Sequence, residues 1–162
     1  KSKCKRRDRH YKTRCKRYNM KLKSFRGKLA DGDIERIRLS TTDGKTGYKI
    51  HKFNLIATIG NNMECCAMVH SIEPPTATNE IDFNDPTLLA VGNYTSDTSS
   101  EHHTINERIV FDSMKFNQDI FISVKQQTSM DVDLNYYLEL EQVKLSVDEA
   151  TVATLKDMRG RE

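Results

Sequence analysis

The chain has 162 residues and a mass of 18.7 kDa, which is the size of one domain. Hydrophobic residues make up 36% of it and charged residues 30%, with no Trp, and no apolar run approaches the roughly 18 residues of a membrane span. We therefore expect neither a large multidomain enzyme nor a membrane protein.

The net charge of +3 is the sum of two very different parts. Between Lys1 and Lys28 there are 14 Lys or Arg residues and one acidic residue, which gives +13. From Leu29 onward there are 12 basic and 22 acidic residues, which gives −10. The charges predict a basic N-terminal arm, residues 1–27, attached to an acidic body, residues 28–162.

The arm has the composition of a segment that binds nucleic acid. Its like charges repel one another, so we expect it to fold only against an anion. Lys and Arg would bind phosphates and release counterions, and Tyr rings would stack on unpaired bases without sequence preference. A nuclear-localisation signal needs a Lys/Arg-rich segment of only about five to eight residues, and the basic arm is much longer than that. The predicted nucleic-acid-binding residues are Lys3, Lys5, Arg6, Arg7, Arg9, Tyr11, Lys12, Arg14, Lys16, Arg17, Lys21, Lys23 and Arg26.

The body has the pattern of a β protein. Segments rich in Ile, Val, Tyr, Phe and Thr alternate with turn residues such as Asp-Gly, Pro-Pro and Asn-Asp-Pro, which predicts seven strands. An eighth strand at 19–27 is an alternative to a flexible tether there. The seven predicted strands span 33–40, 47–58, 62–72, 87–95, 104–112, 119–126 and 131–145.

Two strands allow a prediction of which faces are buried. In the last strand apolar residues, among them Leu134 and Leu138, alternate with polar ones, which predicts one core face and one solvated face. Tyr137 interrupts the polar row. In 62–72 both faces are apolar or small, which predicts an interior strand or one at a subunit contact.

A C-terminal helix is predicted at about 147–159. Ser146 and Glu149 have the spacing of a capping box, and acidic residues in the first turn favour the positive end of the helix dipole. An apolar stripe follows in the helix, at Ala150, Val152, Ala153, Leu155 and Met158. Together these elements predict a mainly β fold: an antiparallel β-sandwich of seven or eight strands with a short C-terminal α-helix.

Metal binding, disulfide bonding and catalysis have little support. The adjacent pair Cys65 and Cys66 does not fit a disulfide framework, so we expect a reducing compartment. The N-terminal residues lack the apolar segment of a secretory signal. Cys4, His10 and Cys15 lack a zinc-site spacing. No P-loop, nucleophile elbow or dinucleotide-binding motif is present. We expect no enzyme and no cofactor. Three pairs of carboxylates suggest either Ca²⁺ ligands or, more simply, a polar surface: Asp82 with Asp85, Asp131 with Asp133, and Glu139 with Glu141.

A Lys/Arg arm followed by a turn-rich β body of about eight strands resembles the single jelly-roll coat proteins of small icosahedral viruses, of circovirus-like or satellite type. The stretch from Asn135 to Ser146 also looks like segments of proteins from marine viruses. The resemblance implies a jelly-roll shell domain, self-assembly with identical subunits, packaging of a single-stranded genome, and location in the virion and, during assembly, inside the host cell. The chain departs from the family in its short body and in its C-terminal helix.

Two other functions fit the same sequence. One is a ribosome-associated or other RNA-binding module with a basic tail. The other is a decoration or minor protein of a larger virion. A β-sandwich enzyme is the weakest alternative.

Overall fold

The computed structural model describes residues 21–39, 44–58, 62–97, 103–111, 114–127 and 133–159. Within them the chain is mainly β, with eight strands and one helix at the C-terminal end. Every predicted strand is present, and its ends fall within three residues of the predicted ends. The elements are β1 Lys21–Leu29, β2 Ile34–Ile37, β3 Thr46–Ala57, β4 Met63–His70, β5 Leu88–Asp97, β6 His103–Val110, β7 Ile120–Gln126, β8 Leu134–Lys144 and α1 Val147–Arg159.

The segment for which a strand was one of two alternatives, 19–27, contains most of β1. This strand pairs with β8 from Lys21 opposite Gln142 to Leu29 opposite Leu134. The expected limit between arm and body, at residue 27, therefore lies within a paired strand.

The strands form two antiparallel sheets. The first has three strands in the order β1-β8-β3, and the second has five in the order β2-β7-β4-β5-β6. Buried side chains from both sheets belong to one hydrophobic cluster, an arrangement compatible with a β-sandwich.

The alternation predicted for the last strand is confirmed. Leu134, Leu138 and Leu140 are fully buried and Tyr136 is 4% exposed, whereas the residues between them are half-buried. β8 lies between β1 and β3, so its inward side chains fill the middle of the core.

The strand predicted to be covered on both faces is β4, which lies at the centre of the five-stranded sheet. Cys65 belongs to the main core, and Cys66 and Met68 belong to a second cluster on the opposite face. Phe111 packs against that second cluster, and its ring lies 5.7 Å from that of Phe83, in the segment between β4 and β5. The interior-strand alternative of the prediction is therefore correct.

A buried carboxylate fixes β2, the short edge strand of the larger sheet. Asp119, just before β7, is 4% exposed. It accepts hydrogen bonds from Nε of Arg36 at 2.8 Å and from the backbone N–H of Leu39 at 2.7 Å. These bonds hold both the strand and the residues after it against β7.

The helix begins as the capping box predicts. The backbone N–H of Glu149 donates to Oγ of Ser146 at 3.3 Å, and the N–H of Ser146 donates to Oε2 of Glu149 at 3.0 Å. A further bond of 2.7 Å from Nζ of Lys115 to Oε1 of Glu149 joins the first turn to the body. Lys115 and Ser146 together lower the pKa of Glu149 to about 2.

Candidate nucleic-acid interface

Three of the thirteen predicted nucleic-acid-binding residues, Lys21, Lys23 and Arg26, lie on β1. This strand is an edge of the three-stranded sheet and pairs only with β8 among the described strands. Residues 1–20 precede it directly in the chain, so the predicted arm would lead into this edge. The other ten predicted residues lie outside the described part of the chain: Lys3, Lys5, Arg6, Arg7, Arg9, Tyr11, Lys12, Arg14, Lys16 and Arg17.

The cationic residues of β1 do not share one environment. Nζ of Lys23 donates a hydrogen bond of 3.1 Å to the hydroxyl of Tyr48, a fully buried residue, and lies 5.3 Å from its ring centroid. Lys23 therefore covers one end of the core. Arg26 has the opposite parity along the strand, is exposed, and belongs to the outer face of the sheet.

The outer face of the three-stranded sheet brings cations from two strands together. The register places Arg26 and Asn54 on either side of Tyr137, and places Ser24 and Lys52 on either side of Glu139. A β-bulge between Ile50 and Lys52 adjusts the parity of β3. The cationic residues of this face are Arg26, Lys28, Lys49 and Lys52.

Tyr137 lies at the middle of this face and is half-buried. Nζ of Lys52 lies 5.8 Å from the centroid of its ring. Its hydroxyl donates to Oε1 of Glu139 at 2.6 Å, and this hydrogen bond raises the pKa of Tyr137. Arg108, from the edge strand β6, reaches the same face and donates to Oδ1 of Asn54.

The face is positively charged although the body as a whole is negative. With Arg108 included, its described residues contain five cations and three carboxylates, which are Asp133, Glu139 and Glu141. One of the carboxylates, Asp133, forms an ion pair with Lys28. Proteins that bind single strands combine cationic groups, which contact phosphates, with aromatic rings, on which bases stack.

The sequence did not predict Lys49, Lys52, Arg108 and Tyr137 as members of this face. For Tyr137 a signal existed, because it interrupts the polar row of the last strand. The cations of β3 and β6 carried no such signal, since only the register of the sheet shows that they approach Tyr137.

The cysteines and the carboxylates of the described residues have the following environments. Burial raises the pKa of Cys65 to about 12 and that of Cys66 to about 11, so neither thiol is poised as a nucleophile. Among the described residues, no three His, Cys, Asp or Glu side chains cluster as metal ligands would. Asp82 and Asp85 instead accept hydrogen bonds within their own turn, from Asn84 and Thr87.

Comparison with known proteins adds no relative: no family model matches the chain, and a search of curated proteins finds no match. The helix found in the described residues is not of the length and apolar character that crossing a membrane requires.

Proposed function

We propose that this protein is the coat protein of a small icosahedral virus. In this proposal the body is a single jelly roll that assembles with identical subunits into a closed shell, and the basic N-terminal arm neutralises packaged single-stranded nucleic acid without sequence preference. The observation that carries the proposal is the nested order of strand pairing. It is supported by the charge of the predicted arm, which is positive, precedes β1 directly in the chain and is opposite to the negative charge of the body.

The pairing order supports a jelly roll. A jelly roll is a long hairpin rolled into two sheets, so its first strand pairs with its last, its second with its seventh, and its fourth with its fifth. β1 pairs with β8, β2 with β7, and β4 with β5. In a jelly roll the eighth strand also lies beside the third, and the seventh beside the fourth. The two sheets contain both of these neighbours, β8 beside β3 and β7 beside β4.

The third pair of the nested series is the one point of difference. β6 forms its ladder with β5 rather than with β3. It nevertheless reaches β3 through side chains, because Nδ2 of Asn106 donates to the carbonyl of Leu55 at 2.8 Å. We interpret β6 as the strand that would pair with β3 in a regular jelly roll. Here it pairs with β5 in the five-stranded sheet, and its side chains still contact β3.

The charges support packaging. The arm enters the body at the edge of the three-stranded sheet, whose outer face presents Arg26, Lys28, Lys49 and Lys52. A shell of about 60 subunits, each with a charge of +13 over residues 1–28, would hold about 800 positive charges, enough for a single strand of roughly one kilobase. In this proposal the cationic face points toward the genome, and the protein is found in the virion and, during assembly, in the host cell.

The experiment compares particles from three versions of the full chain: the natural sequence, an arm variant with every Lys and Arg of residues 1–17 replaced by Gln, and a control. The control is Arg38→Gln with Lys144→Gln, which removes two exposed cations outside the proposed interface. We expect the arm variant to contain much less nucleic acid, measured as the ratio of absorbance at 260 and 280 nm, and the control to be unchanged.

Equal nucleic-acid content in the arm variant and the natural protein would overturn the packaging role. Binding of one short sequence far more tightly than its scrambled versions would favour a specific RNA-binding module instead, because phosphate contacts carry no sequence information.

A further inference from the structure

The C-terminal helix attaches to the body through one side. Asn117, which is 1% exposed, donates from Nδ2 to the carbonyl of Gly44 at 3.2 Å and to Oγ1 of Thr154 at 3.1 Å. Ala150 and Ala153 are half-buried on this same side. The contact is small and largely polar, so the body covers little of the helix.

Three members of the predicted stripe, Val152, Leu155 and Met158, remain largely uncovered, as does Val147 before it, whereas Ala150 and Ala153 lie on the side of the body. Val147 is 68% exposed, Val152 54%, Leu155 47% and Met158 59%. With the exposed Thr151, the positions 147, 151, 155 and 158 follow the spacing of a single helix face. An open pocket of about 340 Å³ lies along this face, between the helix and Gly44–Lys45. The helix thus presents both a ridge of apolar side chains and a depression that would accept such a ridge.

We propose that this face binds the same face of a second copy of the protein, with the two helices antiparallel. Charge favours that occupant and that direction. Asp148, in the first turn, is exposed, and the last turns carry Lys156, Asp157 and Arg159, a net charge of +1. An antiparallel pair places the acidic first turn of each helix beside the basic end of the other, and it also aligns the two helix dipoles favourably.

Other occupants fit the face less well. Ten of the first 20 residues of the chain are Lys or Arg, so the arm has too few apolar residues to cover an apolar stripe. A lipid surface selects helices whose polar face is rich in Lys and Arg, whereas α1 begins with Asp148 and Glu149.

The symmetry of the pair predicts its register. The face formed by positions 147, 151, 155 and 158 is centred between positions 152 and 153, so a two-fold axis there places Val147 of one copy against Met158 of the other. A helix of 13 residues is only about 20 Å long, and so short a contact falls below the roughly 800 Å² per partner of a stable interface. We therefore expect the pair to form mainly where other contacts hold the copies together. The inference rests on the proposed function in this respect, because a shell needs contacts between copies.

The test is disulfide cross-linking in the full chain. Cys4 and Cys15 are first replaced by Ser, and Val147→Cys and Met158→Cys proteins are prepared separately, one of them with a tag. The two are mixed, assembled and oxidised mildly, and cross-linked dimers are separated by mass. The control mixes Met158→Cys with Glu73→Cys, an exposed site between β4 and β5.

We expect the mixture of Val147→Cys and Met158→Cys to give roughly tenfold more dimer than either protein alone or the control, because a disulfide needs Cα atoms within about 7 Å. Within an antiparallel pair the two copies of residue 147 lie about 16 Å apart along the axis.

Closed particles without an excess of the mixed dimer would overturn the helix pairing and leave the proposed function intact. Excess mixed dimer in a protein that never forms particles would support the pairing and contradict the proposed function. A predominance of dimers between identical positions would overturn the antiparallel arrangement.

Discussion

Replacing Leu138 by Ala tests the central strand of the three-stranded sheet. Leu138 is fully buried and lies in register between Phe25 on β1 and Phe53 on β3. The substitution removes three carbon groups, each worth about 0.8 kcal/mol of transfer free energy, or about 2.4 kcal/mol together. The cavity left between two aromatic rings adds to this loss, so we expect the free energy of unfolding to fall by about 2–5 kcal/mol.

The assay is urea denaturation of dilute, unassembled subunits, since association would add its own stability. Leu22→Ala is the matched control: it is the same substitution in the same sheet, at a residue that is 48% exposed, and we expect a change below about 0.5 kcal/mol. A loss below about 0.5 kcal/mol for Leu138→Ala as well would refute the assignment of the core face.

Three further predictions concern buried polar groups. Asp119→Ala leaves the buried N–H of Leu39 without its 2.7 Å acceptor, so we expect a loss of about 1–3 kcal/mol in the same urea assay; an unchanged midpoint would contradict this. Burial lowers the pKa of His70 below 6.5, so the unfolded chain binds the proton more readily and stability should fall as the pH drops below about 6.5. His70→Gln should reduce that dependence, measured by urea unfolding at several pH values, and an equal dependence in both proteins would exclude His70 as its source. Cys65 and Cys66 should resist alkylation by iodoacetamide in the folded protein and react once it is unfolded, as counted by mass spectrometry; rapid reaction of either in the folded state would show that β4 is open to solvent.

Local patterns in the sequence were sufficient to predict the elements of the fold. The alternation of β8 is a period of two that only a half-buried strand satisfies. The capping box at Ser146 is likewise a local signal, because both of its hydrogen bonds join residues three positions apart. The double burial of β4 was predicted because apolar residues occupy both of its faces.

The site could be predicted only in part, since its geometry depends on long-range pairing. Ten of the thirteen predicted binding residues lie outside the described part of the chain, so for these the prediction stands as made. Lys23 resembles its neighbours in sequence, yet it caps the core through Tyr48. Lys49 and Lys52 reach one face only through the β-bulge in β3. The helix shows the same limit, because its apolar residues Val152, Leu155 and Met158 were predicted from the sequence and their exposure was not.

Sedimentation of the purified full chain, followed by electron microscopy of the fastest fraction, tests whether the protein assembles into a shell around nucleic acid. We expect closed shells of uniform diameter whose absorbance at 260 nm indicates packaged nucleic acid. A protein that sediments only as an 18.7 kDa monomer, in the presence and in the absence of single-stranded nucleic acid, would contradict it.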